Sequence, residues 1–437
     1  MNITNLYKIF LGCTSVTTDT RNCPQGSLFF ALKGSNFNGN QFAAKALEAG
    51  SLYAVIDEQE YNDPTNPHLI LVNNCLKTLQ QLASYHREQM GTKVIGITGT
   101  NGKTTTKELI ATILKEAHSV LYTQGNLNNA IGVPLTLLRI TAYHDLAVIE
   151  MGASHPGDIK ELVDIADPDY GIITNVGKAH LQGFGSFEGV IKTKGELYDY
   201  LRKKGDSTIF INHDNPYLMK ILGNLNPIYY GKEDELYVNG KIIDCSPFLT
   251  FMWKAGKEGE EHIVHTRLIG DYNFDNALAA VTIGRFFGVD PHRIDIALEA
   301  YTPDNSRSQM KETEHNELII DAYNANPTSM NASLNNFKQM KFPHKMAILG
   351  DMKELGETSV EEHQRIVDQL CECNWDRIIL VGDEFAKTDI PAEKDNFERY
   401  QTVDEVINIL KKENVQNATI LIKGSNSMHL NKVVDVL

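Results

Sequence analysis

At 437 residues the chain exceeds what one hydrophobic core serves, and about 150 residues per domain gives about three domains. Its 42% hydrophobic and 22% charged residues are an ordinary globular composition. With 41 basic against 56 acidic side chains, net −15, it has no bulk attraction for nucleic acid or anionic lipid, so any anionic ligand must be held by local positive sites. Cys13, Cys23, Cys75, Cys245, Cys371 and Cys373 include no C-x-x-C pair, and the N-terminal segment has neither a basic start nor a long apolar region. No run approaches the roughly 20 apolar residues of a membrane span. The expectation is a cytoplasmic, monomeric protein rather than an exported or membrane-spanning one, with its thiols reduced.

In chain order, residues 1–88 read as a small α/β unit. It has strands at Ser27–Leu32, Tyr53–Ile56 and Leu69–Val72, a helix over Gln41–Ala49, and a closing helix over Cys75–Gln89. The apolar run Lys93–Ile95 then leads into GITGTNGKTTTK, Gly96 to Lys107, and into a helical pattern over Glu108–Leu114. A glycine-rich turn between strand and helix, carrying Lys and then Thr, is a phosphate cradle. Backbone amides of Gly99, Thr100, Asn101 and Gly102 can face anionic oxygens, Lys103 adds a mobile charge, and the Thr104 hydroxyl can reach Mg²⁺. Ile97 stands where the strict G-x-x-x-x-G-K-[ST] string has its first glycine. The loop nevertheless points to a nucleoside triphosphate.

Beyond the loop, strand-like runs at Leu146–Ile149, Gly171–Thr174 and Thr208–Ile211 alternate with helical periods, which implies parallel strands with ligands at their C-terminal ends. Glu150 ends the first of these strands beside the phosphate loop, where a carboxylate can hold the Mg²⁺ of a nucleotide. His180 follows the second strand, and Lys194 lies in a helical stretch whose bland reading is a solvated face. Between Glu235 and Gly270 the texture turns β-rich, with Asn239-Gly240 as a turn signal, so we expect an antiparallel extension. After a linker over Thr302–Ser306, runs at Leu318–Ile320, Met346–Leu349, Arg377–Val381 and Ala418–Ile422 describe a Rossmann-like unit without the G-x-G-x-x-G fingerprint. The expected fold is α/β in three domains, 1–88, 89–308 and 309–437: a small α/β unit, a central P-loop parallel sheet with a β-rich extension, and a C-terminal Rossmann-like domain.

Four strings taken together, Thr98–Thr105, Glu150, Thr174-Asn175-Val176-Gly177-x-Ala179-His180 and Gly270-x-x-Asn273-x-x-Asn276-Ala277, resemble the Mur ligase family of ATP-dependent amide-forming enzymes. Gly125–Pro134, Asp321–Pro327, Leu349–Glu357 and Lys423-Gly424-Ser425 extend the resemblance over essentially the whole chain. They point to the branch that joins D-alanyl-D-alanine to UDP-N-acetylmuramoyl-tripeptide. The resemblance implies ATP phosphates held by Gly99 to Thr105, one Mg²⁺ at Thr104 and Glu150, and a second near His180 and Glu150. It further implies a carbamylated Lys194, an adenine side at Asn273 and Asn276, and Arg307 and Asp321 brought to the nucleotide by the third domain. On the substrate side it implies Asp19, Thr20, Arg21 and Gly39 for the uridine diphosphate, with Asn128, Asn129, Thr174, Asn324, Asn326, Lys423 and Ser425 toward the muramoyl peptide and dipeptide. Asn40, Gln182, Tyr272, Ser306 and Asn426 depart from residues common in the family. Two alternatives stay open: a sister ligase adding the third amino acid, and a non-catalytic UDP-sugar binder driven by nucleotide.

Overall fold

The computed structural model describes every residue except 304–306, so Ser306 and part of the expected linker lie outside the described residues. Three sheets organise the chain. The first has four parallel strands, Val16–Thr17, Leu28–Phe30, Tyr53–Ile56 and Leu69–Leu71, in that order across the sheet. Helix Cys75–Met90, capped by the Asn74 side chain and ended by Gly91 at φ 66°, carries the chain onward. Its buried Arg87 donates to Asp169 at 2.8 Å and to the Asp167 carbonyl at 2.9 Å, fastening this first unit to the next.

The central sheet has nine strands. Lys93–Thr98 lies between Leu146–Glu150 and Tyr170–Ile173, all parallel. Every residue of Leu146–Glu150, and all of Lys93–Thr98 except its first, is buried, because helices cover both faces of a parallel sheet. Ile97 is one of these buried strand residues, which is why a side chain serves where the strict motif has glycine. Helix Lys103–Leu114 follows the loop directly and buries Leu109, Ile110, Ile113 and Leu114. At about 1.5–3 kcal/mol per buried aliphatic side chain, this anchoring outweighs any single loop hydrogen bond, worth about 1 kcal/mol. The core therefore places the loop, and hydrogen bonds shape it.

The β-rich extension continues the same sheet through Val238–Cys245, Phe248–Lys254 and His262–Ile269, the last two pairings antiparallel. The expected turn at Asn239-Gly240 is wrong. Both residues lie inside strand Val238–Cys245, with Asn239 paired to Lys254 and Gly240 to Trp253. A Cβ at Gly240 would sit 2.5 Å from the Met252 carbonyl, so glycine here permits close strand approach rather than a turn, and the chain reverses at Ser246-Pro247 instead. The third sheet has six strands, in the order Gln309–Glu312, Glu317–Asp321, Thr419–Lys423, Lys345–Gly350, Arg377–Val381 and Phe397–Tyr400, with only the first antiparallel. Its C-terminal edge faces the phosphate loop.

Candidate active site

The loop is built by contacts that only glycine allows. Gly99 has φ 144°, and a Cβ there would lie 2.0 Å from Thr174 Oγ1; Gly102 has φ 77°, and a Cβ would lie 2.4 Å from Asn276 Oδ1. The loop backbone is then tied down from the next strand end. Thr174 donates its hydroxyl to the Asn101 carbonyl at 2.6 Å, and Asn175 accepts from the Asn101 amide at 3.0 Å. Asn273 and Asn276 sit buried under the loop: Asn276 accepts from the Thr106 hydroxyl at 3.0 Å and donates to Asn273 at 2.9 Å. Lys103 folds back, donating to the carbonyls of Gly99 at 2.8 Å and Thr100 at 3.0 Å, and its surroundings lower its pKa to about 8, chiefly through burial. An anion arriving at the loop would draw that ammonium away from the carbonyls.

Glu150 is 1% exposed and receives the Thr104 hydroxyl at 3.0 Å and the Asn128 amide at 2.8 Å. A buried lysine, Lys107, approaches it to 3.8 Å while donating to the Thr123 carbonyl at 2.6 Å and pairing with Glu108 at 2.9 Å. Sequence inspection passed over Lys107 because a lysine one turn into a helix reads as solvated; only its full burial reveals it. His180 adopts left-handed backbone at φ 49°, and its Nδ1 meets the Glu354 carboxylate of the third domain. Burial lowers its pKa, while the Glu354 carboxylate opposes that shift. Lys194 is 2% exposed in helix Phe187–Lys204, with its amine 3.5 Å from the Ala153 carbonyl and 5.4 Å from the Phe184 ring, whose other neighbour is His180. Desolvation, with Lys103 as the next cause, pushes its pKa well below the usual lysine value, so the amine tends to neutrality.

The third domain closes over this edge. Asn326, the side-chain cap of helix Pro327–Gln339, donates to Asn101 of the loop at 2.8 Å, and Lys178 pairs with Glu362 at 3.0 Å. The Gln182 amide reaches the Glu354 carbonyl at 3.3 Å. Between the domains lies a cavity of about 710 Å³ lined by Thr100 to Lys103, Thr105, Asn128, Asn129, Glu150, His180, Asn273, Asn276, Arg307, Asp321, Asn324 and Lys423. Arg307 stacks on Tyr323 at 3.8 Å, and Asp321 accepts from Ser333 at 2.9 Å and pairs with buried Lys423. Tyr272 also lines the cavity, bonded to Ser308 at 2.6 Å.

Three family models cover the chain: the Mur ligase family catalytic domain over 13–87, the Mur ligase middle domain over 97–284, and the Mur ligase glutamate ligase domain over 306–426. The UDP-N-acetylmuramoyl-tripeptide–D-alanyl-D-alanine ligase of Bacillus subtilis strain 168 is 35% identical, over 96% of this chain and 92% of the relative. Its counterpart from Escherichia coli K12 is 33% identical, over 97% and 93%. The chain belongs to the Mur ligase family. A crystal structure of MurF from Acinetobacter baumannii superposes with a TM-score of 0.86 at 28% identity, covering 99% of this chain and 98% of that one. MurF ligase from Thermotoga maritima in complex with ADP superposes at 0.84 and 26%, covering 98% and 97%.

Several of this Mur ligase's expected site residues lie outside the cavity wall. Gly99 and Thr174 are spent on loop geometry behind it, Thr104 turns its hydroxyl to Glu150, and Lys194 stands behind Ala153. Ser425 receives the Lys353 amide at 3.0 Å and is 5% exposed. Asp19, Thr20, Arg21 and Gly39 stand apart in the first domain. Asp19 and Arg21 form an exposed pair at 2.8 Å in which the guanidinium holds the carboxyl down at about 2. Gly39 begins a short turn after the hairpin Lys33–Asn38, where a Cβ would meet the Leu32 carbonyl at 2.4 Å. Next to it, Asn40 is buried against Asp57, bonding in both directions at 2.9 Å.

Proposed function

We propose that this chain is an ATP-dependent ligase that adds D-alanyl-D-alanine to UDP-N-acetylmuramoyl-tripeptide in peptidoglycan precursor synthesis, releasing ADP and phosphate. The observation that carries the reading is one cavity in which the phosphate loop, the Glu150 edge and the third domain's Arg307, Asp321 and Lys423 converge, in a chain similar along its length to ligases of that name.

Joining a carboxylate to an amine is uphill in water, so the carboxylate must first become an electrophile. The loop amides and Lys103 bind the ATP phosphates, and the γ-phosphoryl group passes to the terminal carboxylate of the tripeptide, giving an acyl phosphate and ADP. The dipeptide amine then attacks the acyl carbon, the tetrahedral intermediate expels phosphate, and the amine gives up its proton. Exclusion of water by the third domain protects the acyl phosphate from hydrolysis. Arg307 and Asp321 serve the nucleotide from that domain, and Asn273 and Asn276 hold the loop on its adenine side. The uridine diphosphate is assigned to Asp19, Thr20, Arg21 and Gly39. Asn128, Asn129, Thr174, Asn324, Asn326, Lys423 and Ser425 are assigned to the peptide side, with Thr174, Asn326 and Ser425 acting through the backbone and loop they hold.

The donor set fits Mg²⁺: a buried carboxylate on Glu150 with the Thr104 hydroxyl against it, and His180 on the same cavity wall. Held by these residues, Mg²⁺ would supply charge neutralisation between phosphate and carboxylate. Lys194, whose surroundings disfavour its charged form, is suited to become a carbamate by attack of its neutral amine on carbon dioxide with loss of a proton, which would add a carboxylate to this edge. We place the enzyme in the cytoplasm and as a monomer. The test is phosphate release measured with each substrate withheld in turn and product mass determined. Release should require both the UDP-muramoyl-tripeptide and D-alanyl-D-alanine. Turnover with a UDP-muramoyl-dipeptide and a single amino acid, or none with the full set, would overturn the assignment.

A further inference from the structure

A second group of ligand-type side chains lies where the β-rich extension meets helix Pro291–Ala300, and none of its members lines the catalytic cavity. His292 and Asp295 are three residues apart in helix Pro291–Ala300 and so share one face of it, and His262 comes from the adjacent strand His262–Ile269. One donor atom from each of the three lies within 4.8 Å of the others. His262 Nδ1 is 2.7 Å from Asp295 Oδ2, while the other carboxylate oxygen, Oδ1, accepts from the Trp253 indole at 2.8 Å. The Trp253 ring stacks on His262 at 4.4 Å and 15°. Two donors are thus oriented by a buried tryptophan, and the third, His292, is exposed and opens the group to solvent.

We propose that His262, His292 and Asp295 form a binding site for a first-row divalent cation of the zinc type. Two imidazoles and a carboxylate are a donor set such ions favour, and a water would complete four-coordination. The Trp253 hydrogen bond to Asp295 is the kind of outer contact that fixes a ligating carboxylate. The ion would take the place of the hydrogen bond between His262 and Asp295. Mg²⁺, which prefers oxygen donors, would not compete.

Trp253 makes the site readable in the intact protein. Co²⁺ should quench tryptophan emission with saturation at one ion per chain, Zn²⁺ should reverse the quenching, and millimolar Mg²⁺ should not. His292→Ala, an exposed substitution with little effect on folding, should weaken Co²⁺ at least roughly tenfold, the scale on which even outer-shell partners act. Asp295→Asn, which keeps an acceptor for Trp253, should do the same. Ligase turnover in excess Mg²⁺ should be unchanged in His292→Ala. Absence of saturable quenching in the parent, or equal quenching in parent and His292→Ala, would overturn the site and leave the proposed ligase activity untouched.

Discussion

The two sides of the catalytic cavity are built on different principles. On the central side the loop is finished before any ligand arrives: Gly99 and Gly102 are pressed against Thr174 and Asn276, and the Asn101 backbone is bonded at both ends. On the third-domain side the polar groups are committed to one another, Asp321 to Lys423 and Ser333, Arg307 to Tyr323, Asn326 to its own helix. Among the described residues a few polar contacts, Asn326 to Asn101, Lys178 to Glu362 and His180 and Gln182 to Glu354 among them, join the two sides. One side is therefore preorganised by packing, while the other is a rigid body whose position is held weakly. This suits an enzyme that must admit three substrates and then exclude water.

The sharpest break in that comparison should come from Lys194. Lys194→Ala is expected to lose nearly all activity, with short carboxylic acids in solution restoring part of it if a carbamate supplies the missing charge. An active variant, or one that no small carboxylate revives, would remove the carbamate. Next in size, Lys103→Ala should cost on the order of 10²-fold or more in turnover with an unchanged melting temperature, because its ammonium serves phosphate and its stem little core. Near-normal turnover would take the loop out of the mechanism.

On the opposite side, Asp321→Ala should lower stability as well as activity, because it strands the buried Lys423 ammonium; removing one partner of such a pair costs about 3–5 kcal/mol. Calorimetry that shows no loss of stability would mean the pair relaxes into solvent. Smaller still, Asn326→Ser keeps the helix cap but is too short to reach Asn101, so a bond worth about 1 kcal/mol is lost. We expect a several-fold fall in kcat/KM without loss of stability, and equal kinetics would show that domain contact at this point is incidental.

The smallest effect is a fraction of a proton. Lys103 titrates near 8 in the free protein, and a bound phosphate raises that value. Above pH 8 the free side chain is largely neutral and must gain a proton as nucleotide binds, whereas at pH 7 it already carries one. Titration calorimetry in buffers of different ionisation heat should find proton uptake at pH 8.5, little at pH 7, and none from this group in Lys103→Met. Equal uptake in parent and variant would assign the proton elsewhere.

Much of this was legible in the chain. The runs Leu146–Ile149 and Arg377–Val381 read as buried parallel strands because helices on both faces leave no polar side to show. The loop read as a phosphate cradle because glycine, lysine and threonine are demanded there by geometry and charge. What could not be read was anything set by a partner distant in sequence. Asn239-Gly240 has the composition of a turn, yet its place between two strands was decided by the close approach of Met252. Lys107 looks like a surface lysine until the sheet buries it beside Glu150, and Lys194 becomes an unusual amine only where Phe184 and the Ala153 carbonyl enclose it. Local propensity and pattern determine which elements form and which of their ends carry chemistry. Charge state and reach depend on dielectric surroundings and on groups up to 225 residues away, as Asn326 is from Asn101, and those exist only once the domains have packed.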